Sequence, residues 1–378
     1  MPSAELLIEL GAVLLGLAVL GRLSGRFGYS PVPLYLISGL AFGEGGLLPL
    51  GPTEDFIEVG AEIGAVLLLF ALGLEYSARE LAATLRSSSR TGLVDAALNF
   101  TPGAVTGLLL GWDTKAALLL GGITWVTSSG VVAKLLNDMR RIGNRETPAI
   151  LGVLVIEDLA MAAYLPLMAS LLSQGDAESV VGSILLAAGA AGGAGWIALR
   201  YGAAISRAVF SRSDEVLLLS VLGLTLLVAG LAEAVHISAP VGAFFVGITL
   251  SGRAADGARA LLSPLRDLFA AVFFVFFGLS VDPSDLVSVA FVAIALGVVT
   301  AGTKIATGWY AAARIGVGRA GRLRAGLTLV ARGEFSVVLA TLGVSAGTEQ
   351  DLGALAAAYV LVTAVVGPVL TRSLDRSG

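Results

Sequence analysis

The chain has 378 residues, 56% hydrophobic and 14% charged, with a net charge of −4. A soluble domain carries about 25% charge, and a disordered chain combines high charge with few apolar residues, so both classes are excluded. The acidic balance disfavours nucleic acid as a partner, the absence of cysteine excludes disulfides and thiolate metal sites, and a single histidine, His236, cannot build a multi-histidine centre. Glycine, with 49 residues, stands well above its usual share of about 7%. Small residues let helices approach closely in lipid. The composition predicts an all-α polytopic membrane protein whose first partner is the lipid bilayer.

A spanning helix needs about 20 mostly apolar residues. Segments that qualify or nearly do lie at 4–21, 31–48, 56–74, 91–111, 115–135, 147–173, 179–199, 214–235, 238–252, 264–280, 286–313, 323–346 and 352–371, about thirteen transmembrane helices. The loops are too short for a soluble domain, so 1–378 reads as a single transmembrane domain. Residues 4–21 lack a cleavage-site pattern and read as a span, not a signal peptide. All Lys and Arg except Lys115, Lys304 and Arg332 fall in alternate loops, at the span ends that border them, or in the C-terminal tail, as with Arg79, Arg86 and Arg90, then Lys134, Arg140, Arg141 and Arg145. The opposite loops are acidic, with Glu54 and Asp55, Asp176 and Glu178, Asp282 and Asp285, Glu349 and Asp351. Basic residues mark cytoplasmic loops. The expected topology in the cell membrane is N-terminus outside and C-terminus cytoplasmic.

The chain also echoes itself. Pro31-Val32 and its neighbours resemble Pro240-Val241, Ala65-Val66 with Gly73-Leu74 resemble Ala271-Val272 with Gly278-Leu279, and Thr124-Trp125-Val126 resembles Thr328-Leu329-Val330. Each echo joins spans seven apart, and an odd displacement reverses orientation. This predicts inverted repeats over approximately 31–173 and 238–371, a plan that places the site near the membrane midplane.

Charges inside spans are costly and mark function. Glu157-Asp158 sits mid-span, Asp158 about 16 Å along the helix from Thr147 at 1.5 Å per residue. A carboxylate at that depth can hold either a proton or a cation; the alternative is a structural ion pair, a more open question for Glu157 than for Asp158. Thr127-Ser128-Ser129-Gly130 in the fifth span and Ala331-Arg332-Gly333-Glu334 in the twelfth interrupt apolar helices with small and polar residues. Unwinding there exposes carbonyls and half-helix ends as oxygen ligands for an alkali cation. Arg332 and Glu334 can neutralise opposing half-helix ends or pair with each other. Lys304 needs a carboxylate, Asp158 or Glu157, unless it snorkels to the cytoplasmic face. Asp95 reads as interfacial, Glu62 as an outer-vestibule or structural residue, and His236 as an outer-loop residue without a special role.

Leu69-Phe-Ala-Leu-Gly-Leu-Glu75, Ser128-Ser-Gly-Val-Val132, Glu157-Asp-Leu-Ala160, Gly242-Ala-Phe-Phe-Val-Gly247, Phe273-Phe-Val-Phe-Phe-Gly-Leu-Ser280 and Arg332-Gly-Glu-Phe335, in this order, resemble the second branch of monovalent cation/proton antiporters, the Kef-type potassium/proton and related sodium/proton antiporters. The resemblance covers nearly the whole chain. It implies a core of two crossing broken helices (approximately 115–173 and 323–371), a homodimer, and an elevator-like alternating access. It matches Asp158 to the shared cation- and proton-binding aspartate and Lys304 to a lysine that some members place beside it. No cofactor is expected beyond the transported K⁺ or Na⁺ and H⁺, and the absence of H-E-x-x-H and Walker sequences counts against an intramembrane enzyme. Glu157 departs from the Gln of Kef proteins and the Asp or Asn of sodium exchangers, so cation choice and stoichiometry do not carry over. With no nucleotide-binding domain after the spans, a separate cytosolic regulatory subunit is expected, unless the sequence is a piece of a longer chain. Two other readings share the inverted-repeat plan: a cation channel, against which the lack of a TVGYG-like pore loop counts, and an organic-anion symporter, which favours uncompensated basic residues over two carboxylates.

Overall fold

The computed structural model describes residues 4–27, 31–43, 54–75, 78–173, 189, 193, 196–197, 200–234 and 239–373. Among these, all regular structure is helical. In chain order the helices are α1 (Ala4–Phe27), α2 (Val32–Phe42), α3 (Glu54–Glu75), α4 (Ala78–Leu109), α5 (Thr114–Trp125), α6 (Ser129–Asp138), α7 (Thr147–Ser173), α8 (Asp214–Ala234), α9 (Ala239–Thr249), α10 (Gly252–Leu279), α11 (Pro283–Arg314), α12 (Arg319–Thr328), α13 (Glu334–Ser345) and α14 (Gln350–Ser373). Residues 200–209 are helical as well. Among the described residues, five stretches are long and apolar enough to cross a membrane: Thr114–Leu136, α8, α10, α11 and α14. Most of the expected span 179–199, together with Asp176, Glu178, His236 and the Glu62 side chain, lies outside the described residues.

Two expected spans start too late. The fourth begins at Ala78, not 91, and the tenth at Gly252, not 264. A helix satisfies its own backbone whatever its side chains, so it continues through the polar stretches around Arg86 and Arg259 that a hydropathy reading excludes. Pro264 and Pro102 are carried inside α10 and α4. Caps fix several starts: the Asp113 carboxylate accepts the Ala116 N–H at 2.7 Å to open α5, just after a turn in which Gly111 takes φ +82°. Asp282 does the same for Ser284 at 2.8 Å, with Pro283 as the first residue of α11. Such caps contribute about 1 kcal/mol each.

The chain divides into two compact units, one of Met1–Glu58, Ser88–Glu157 and Phe274–Gly378, the other of Val59–Ser87 and Asp158–Phe273. In the first, α11 packs along α14 and α12, while α13 packs on α14 and α5. Its apolar core includes Val132, Leu136, Ile150, Val153, Ala312 and Leu329. In the second, α8 lies against α9, over a core that includes Leu67, Phe70, Val221, Val246 and Leu262.

Each unit contains a close glycine crossing. A Cβ on Gly39 of α2 would collide with the Val275 carbonyl oxygen of α10 and lie 2.7 Å from Gly278 Cα. In the other unit a Cβ on Gly73 of α3 would collide with the Phe244 carbonyl oxygen of α9 and lie 2.9 Å from Gly247 Cα. Under the sequence echoes α2 corresponds to α9 and α3 to α10, so the two crossings are repeat mates. Any side chain at these four positions would push backbones apart, which is why the glycines recur at both.

Candidate functional site

The site is built on two interrupted helices of the first unit. The fifth span breaks at Val126–Ser128, between α5 and α6, and the twelfth breaks after α12, with α13 resuming at Glu334. The breaks touch through backbone: the Ser128 N–H donates to the Ala331 carbonyl at 2.9 Å. A broken helix leaves N–H groups free on one side and carbonyls on the other. The two carbonyl ends and the N–H end of α6 each meet a side chain of opposite charge.

The carbonyl ends receive Arg332, which is fully buried. Its Nε donates to the Thr124 carbonyl at the end of α5 at 3.0 Å, and its Nη1 to Leu329 and Val330 beyond α12 at 3.2 and 2.8 Å. One guanidinium thus serves two negative half-helix ends. The N–H end of α6 receives Glu334, whose carboxylate accepts the Ser128 hydroxyl at 2.7 Å and the Gly130 N–H at 3.3 Å. Ser128 Oγ also accepts the Val131 N–H at 3.3 Å, so it caps α6. Of the two arrangements open to Arg332 and Glu334, these contacts have them neutralising half-helix ends. The Ser336 hydroxyl adds a bond to the Ile123 carbonyl at 2.8 Å. Ser129, half-buried, opens α6.

Glu157 of α7, wholly buried, accepts the Thr127 N–H, the Thr127 hydroxyl at 3.1 Å, and the Lys304 ammonium. Thr127 Oγ1 also lies 3.3 Å from the Leu329 carbonyl. Lys304 of α11 is 0% exposed, which overturns the snorkelling alternative. Its second partner is Asp95 of α4, at 2.7 Å. Asp95 is 1% exposed, so it is a buried ion-pair residue, not an interfacial one. Its carboxylate also accepts Trp125 Nε1 at 2.8 Å and Asn99 Nδ2 at 2.9 Å. Asn99 continues to Thr307 at 3.1 Å and receives the Thr303 hydroxyl at 2.8 Å.

Asp95 is the buried charge that the sequence reading misplaces, because a span boundary read from hydropathy puts it near a helix end. The repeat carried the signal. Asp95 and Lys304 are 209 residues apart, Asn99 and Thr307 208, and Ser128 and Glu334 206, the same spacing as the sequence echoes. Spans 4 and 11 stand seven apart, as the echoing spans do, and their charged positions meet.

Asp158 is 1% exposed on α7. It follows Glu157 directly and so projects about 100° away round the helix. Neighbouring carboxylates on one helix therefore point to different sides, and Glu157 pairs with Lys304 and with Thr127 at the first break.

The sodium/hydrogen exchanger family, in its transmembrane part, matches residues 12–374. This chain belongs to that family. Cation/proton antiport is the activity that membership carries. The chain is 33% identical to the K(+)/H(+) antiporter subunit KhtU of Bacillus subtilis, over 98% of this chain and 94% of the relative. It is 29% identical to the ammonium/H(+) antiporter subunit AmhT of Alkalihalophilus pseudofirmus, over 96% and 92%. The fold matches that of the sodium proton antiporter MjNhaP1 from Methanocaldococcus jannaschii, with a TM-score of 0.71 over 100% of this chain and 97% of that one, at 18% identity.

Proposed function

We propose that this exchanger moves a monovalent cation, K⁺ or Na⁺, against protons by alternating access, with Asp158 as the shared cation and proton site. The observation that carries the reading is the pair of adjacent buried carboxylates on α7. Glu157 is held by Lys304 and by the Thr127 backbone and hydroxyl, while the adjoining Asp158 is a buried carboxylate on another face of the same helix. A carboxylate holds a cation when ionised and loses its attraction for it when protonated, so one side chain enforces exchange. The break beside Glu157 has its ends neutralised by Arg332 and Glu334, which makes an irregular backbone tolerable within a membrane. Thr127, Ser128 and Ser129, with carbonyls of the break, are the proposed further oxygen ligands. The Thr127 and Ser128 hydroxyls already donate to Glu157 and Glu334, so they offer lone pairs, not protons, to a cation.

The basic alternate loops support an N-terminus outside and a C-terminus in the cytoplasm of the cell, and exposed apolar side chains along α8, such as Leu219, Leu227 and Leu231, are available to lipid or to a second copy in a homodimer. KhtU and AmhT are each named as an antiporter subunit, which supports a separate regulatory partner for this chain too. Their names also widen the cations worth testing to ammonium.

The test is proton-coupled flux in proteoliposomes with Na⁺, K⁺, Li⁺ and ammonium. Asp158→Asn keeps the side-chain shape but cannot alternate between proton and cation, so it should abolish exchange by folded protein. Substantial coupled transport by that variant would remove Asp158 from the centre of the mechanism.

A further inference from the structure

We infer that Asp95 is a positioning residue for transport: it shares the Lys304 ammonium with Glu157 and thereby sets the net charge that the buried core presents beside Asp158. The inference rests on Asp158 being the cation site. Its own ground is a mismatch of charge. Asp95 and Glu157 are both ion-paired to the one Lys304 ammonium, with side chains 1%, 0% and 0% exposed. When both carboxylates are ionised, two against one ammonium leave the triad with one excess negative charge. A balanced pair needs only Glu157 and Lys304.

The Asp95 carboxylate is also held in place. Trp125 Nε1 and Asn99 Nδ2 donate to it at 2.8 and 2.9 Å, and Asn99 is itself tied to Thr303 and Thr307 on α11. Trp125 is the last residue of α5 before the break. Asp95 therefore links three elements: α4, which carries it, the end of the first half-helix, and the α11 turn that bears Lys304. Drawing the ammonium partly toward α4 weakens the positive charge that Lys304 sets beside Glu157 and the adjoining Asp158. The excess negative charge favours a cation there.

Asp95→Asn removes that charge and leaves a balanced Lys304–Glu157 pair, so the variant should fold. At fixed pH its apparent cation KM should rise about tenfold, a typical effect of one uncompensated charge in a partly screened interior, with maximal rate within about twofold of the parent. Adding Lys304→Gln to Asp95→Asn restores the triad's single negative charge on Glu157, and the KM should return toward the parental value. A residue with only a structural role predicts the opposite: lowered thermal stability with an unchanged KM for Asp95→Asn. A parental KM in Asp95→Asn, or an unrecovered one in the double variant, would overturn the inference, and if Asp95→Asn does not fold, Asp95→Ser, which removes the same charge, is read by the same KM criterion. Asp158→Asn measured in parallel separates the two ideas. Residual coupled transport there defeats the site assignment, whereas an inactive Asp158→Asn beside a parental Asp95→Asn defeats only the role of Asp95.

Discussion

Lys304 shows how a buried charge is made tolerable and what its removal releases. Its ammonium is enclosed and has two carboxylates within ion-pair distance. Lys304→Ala strands both, and breaking a buried ion pair costs about 3–5 kcal/mol. The detergent-solubilised variant should therefore melt well below the parent in a thermal-shift assay, while a Lys at an interface would leave the melting temperature unchanged. Glu146, just before α7, makes a contrasting case at the edge of the bundle. Burial alone would raise its pKa, but the Arg324 guanidinium at 2.6 Å, its own backbone N–H and Asn144 together hold it below its ordinary value. A lowered folded-state pKa stabilises above the unfolded value, and that stabilisation is lost as pH falls through the folded one. Glu146→Gln should flatten the fall in stability below about pH 5; an unchanged acid limb would assign that fall to other carboxylates. At this scale the sequence revealed Glu157, Asp158, Lys304, Arg332 and Glu334, because charge inside an apolar run is conspicuous. Asp95 escaped, because Arg86 and Arg90 upstream made its helix look shorter than it is.

The two broken helices depend on small residues where they cross. Gly333 has φ −170°, an extended conformation open to any residue, so its role is space, not backbone freedom. A Cβ there would meet the Ser128 hydroxyl oxygen at 2.6 Å and Ser128 Cβ at 2.7 Å. Ser128 cannot easily withdraw, since its hydroxyl holds Glu334 and its N–H holds Ala331. Gly333→Ala should destabilise by about 1–3 kcal/mol through overpacking and reduce transport, whereas Gly302→Ala, where nothing lies within 4 Å, serves as the silent control. Equal melting temperatures for the two would mean that the crossing is loose. The breaks were legible from Thr127-Ser128-Ser129-Gly130 and Arg332-Gly333-Glu334, since polar residues at corresponding places in two repeat-mate spans are costly in lipid unless each serves an opened helix. Their contacts were not, because which end Arg332 and Glu334 serve depends on how the half-helices meet.

At the scale of the molecule, the repeat organises both the scaffold and the site. The Gly39–Gly278 and Gly73–Gly247 crossings are mates, and Asp95 meets Lys304 at the repeat spacing. Apolar run length gave α7 at both ends, Thr147 and Ser173, but misplaced the starts of α4 and α10, because hydropathy reports where lipid is tolerated and not where helical hydrogen bonding stops. Antiport itself is a property of the whole exchanger. If Asp158 holds either a proton or a cation, linkage requires that each weaken the binding of the other by the same factor. The most direct measurement is the apparent cation affinity from transport across about pH 6 to 9, paired with proton release on adding the cation to solubilised protein in weak buffer. A single shared site predicts affinity that falls about tenfold per pH unit on the acid side and then levels off, with protons released as the cation binds. A pH-independent affinity without proton release would contradict a shared site at Asp158.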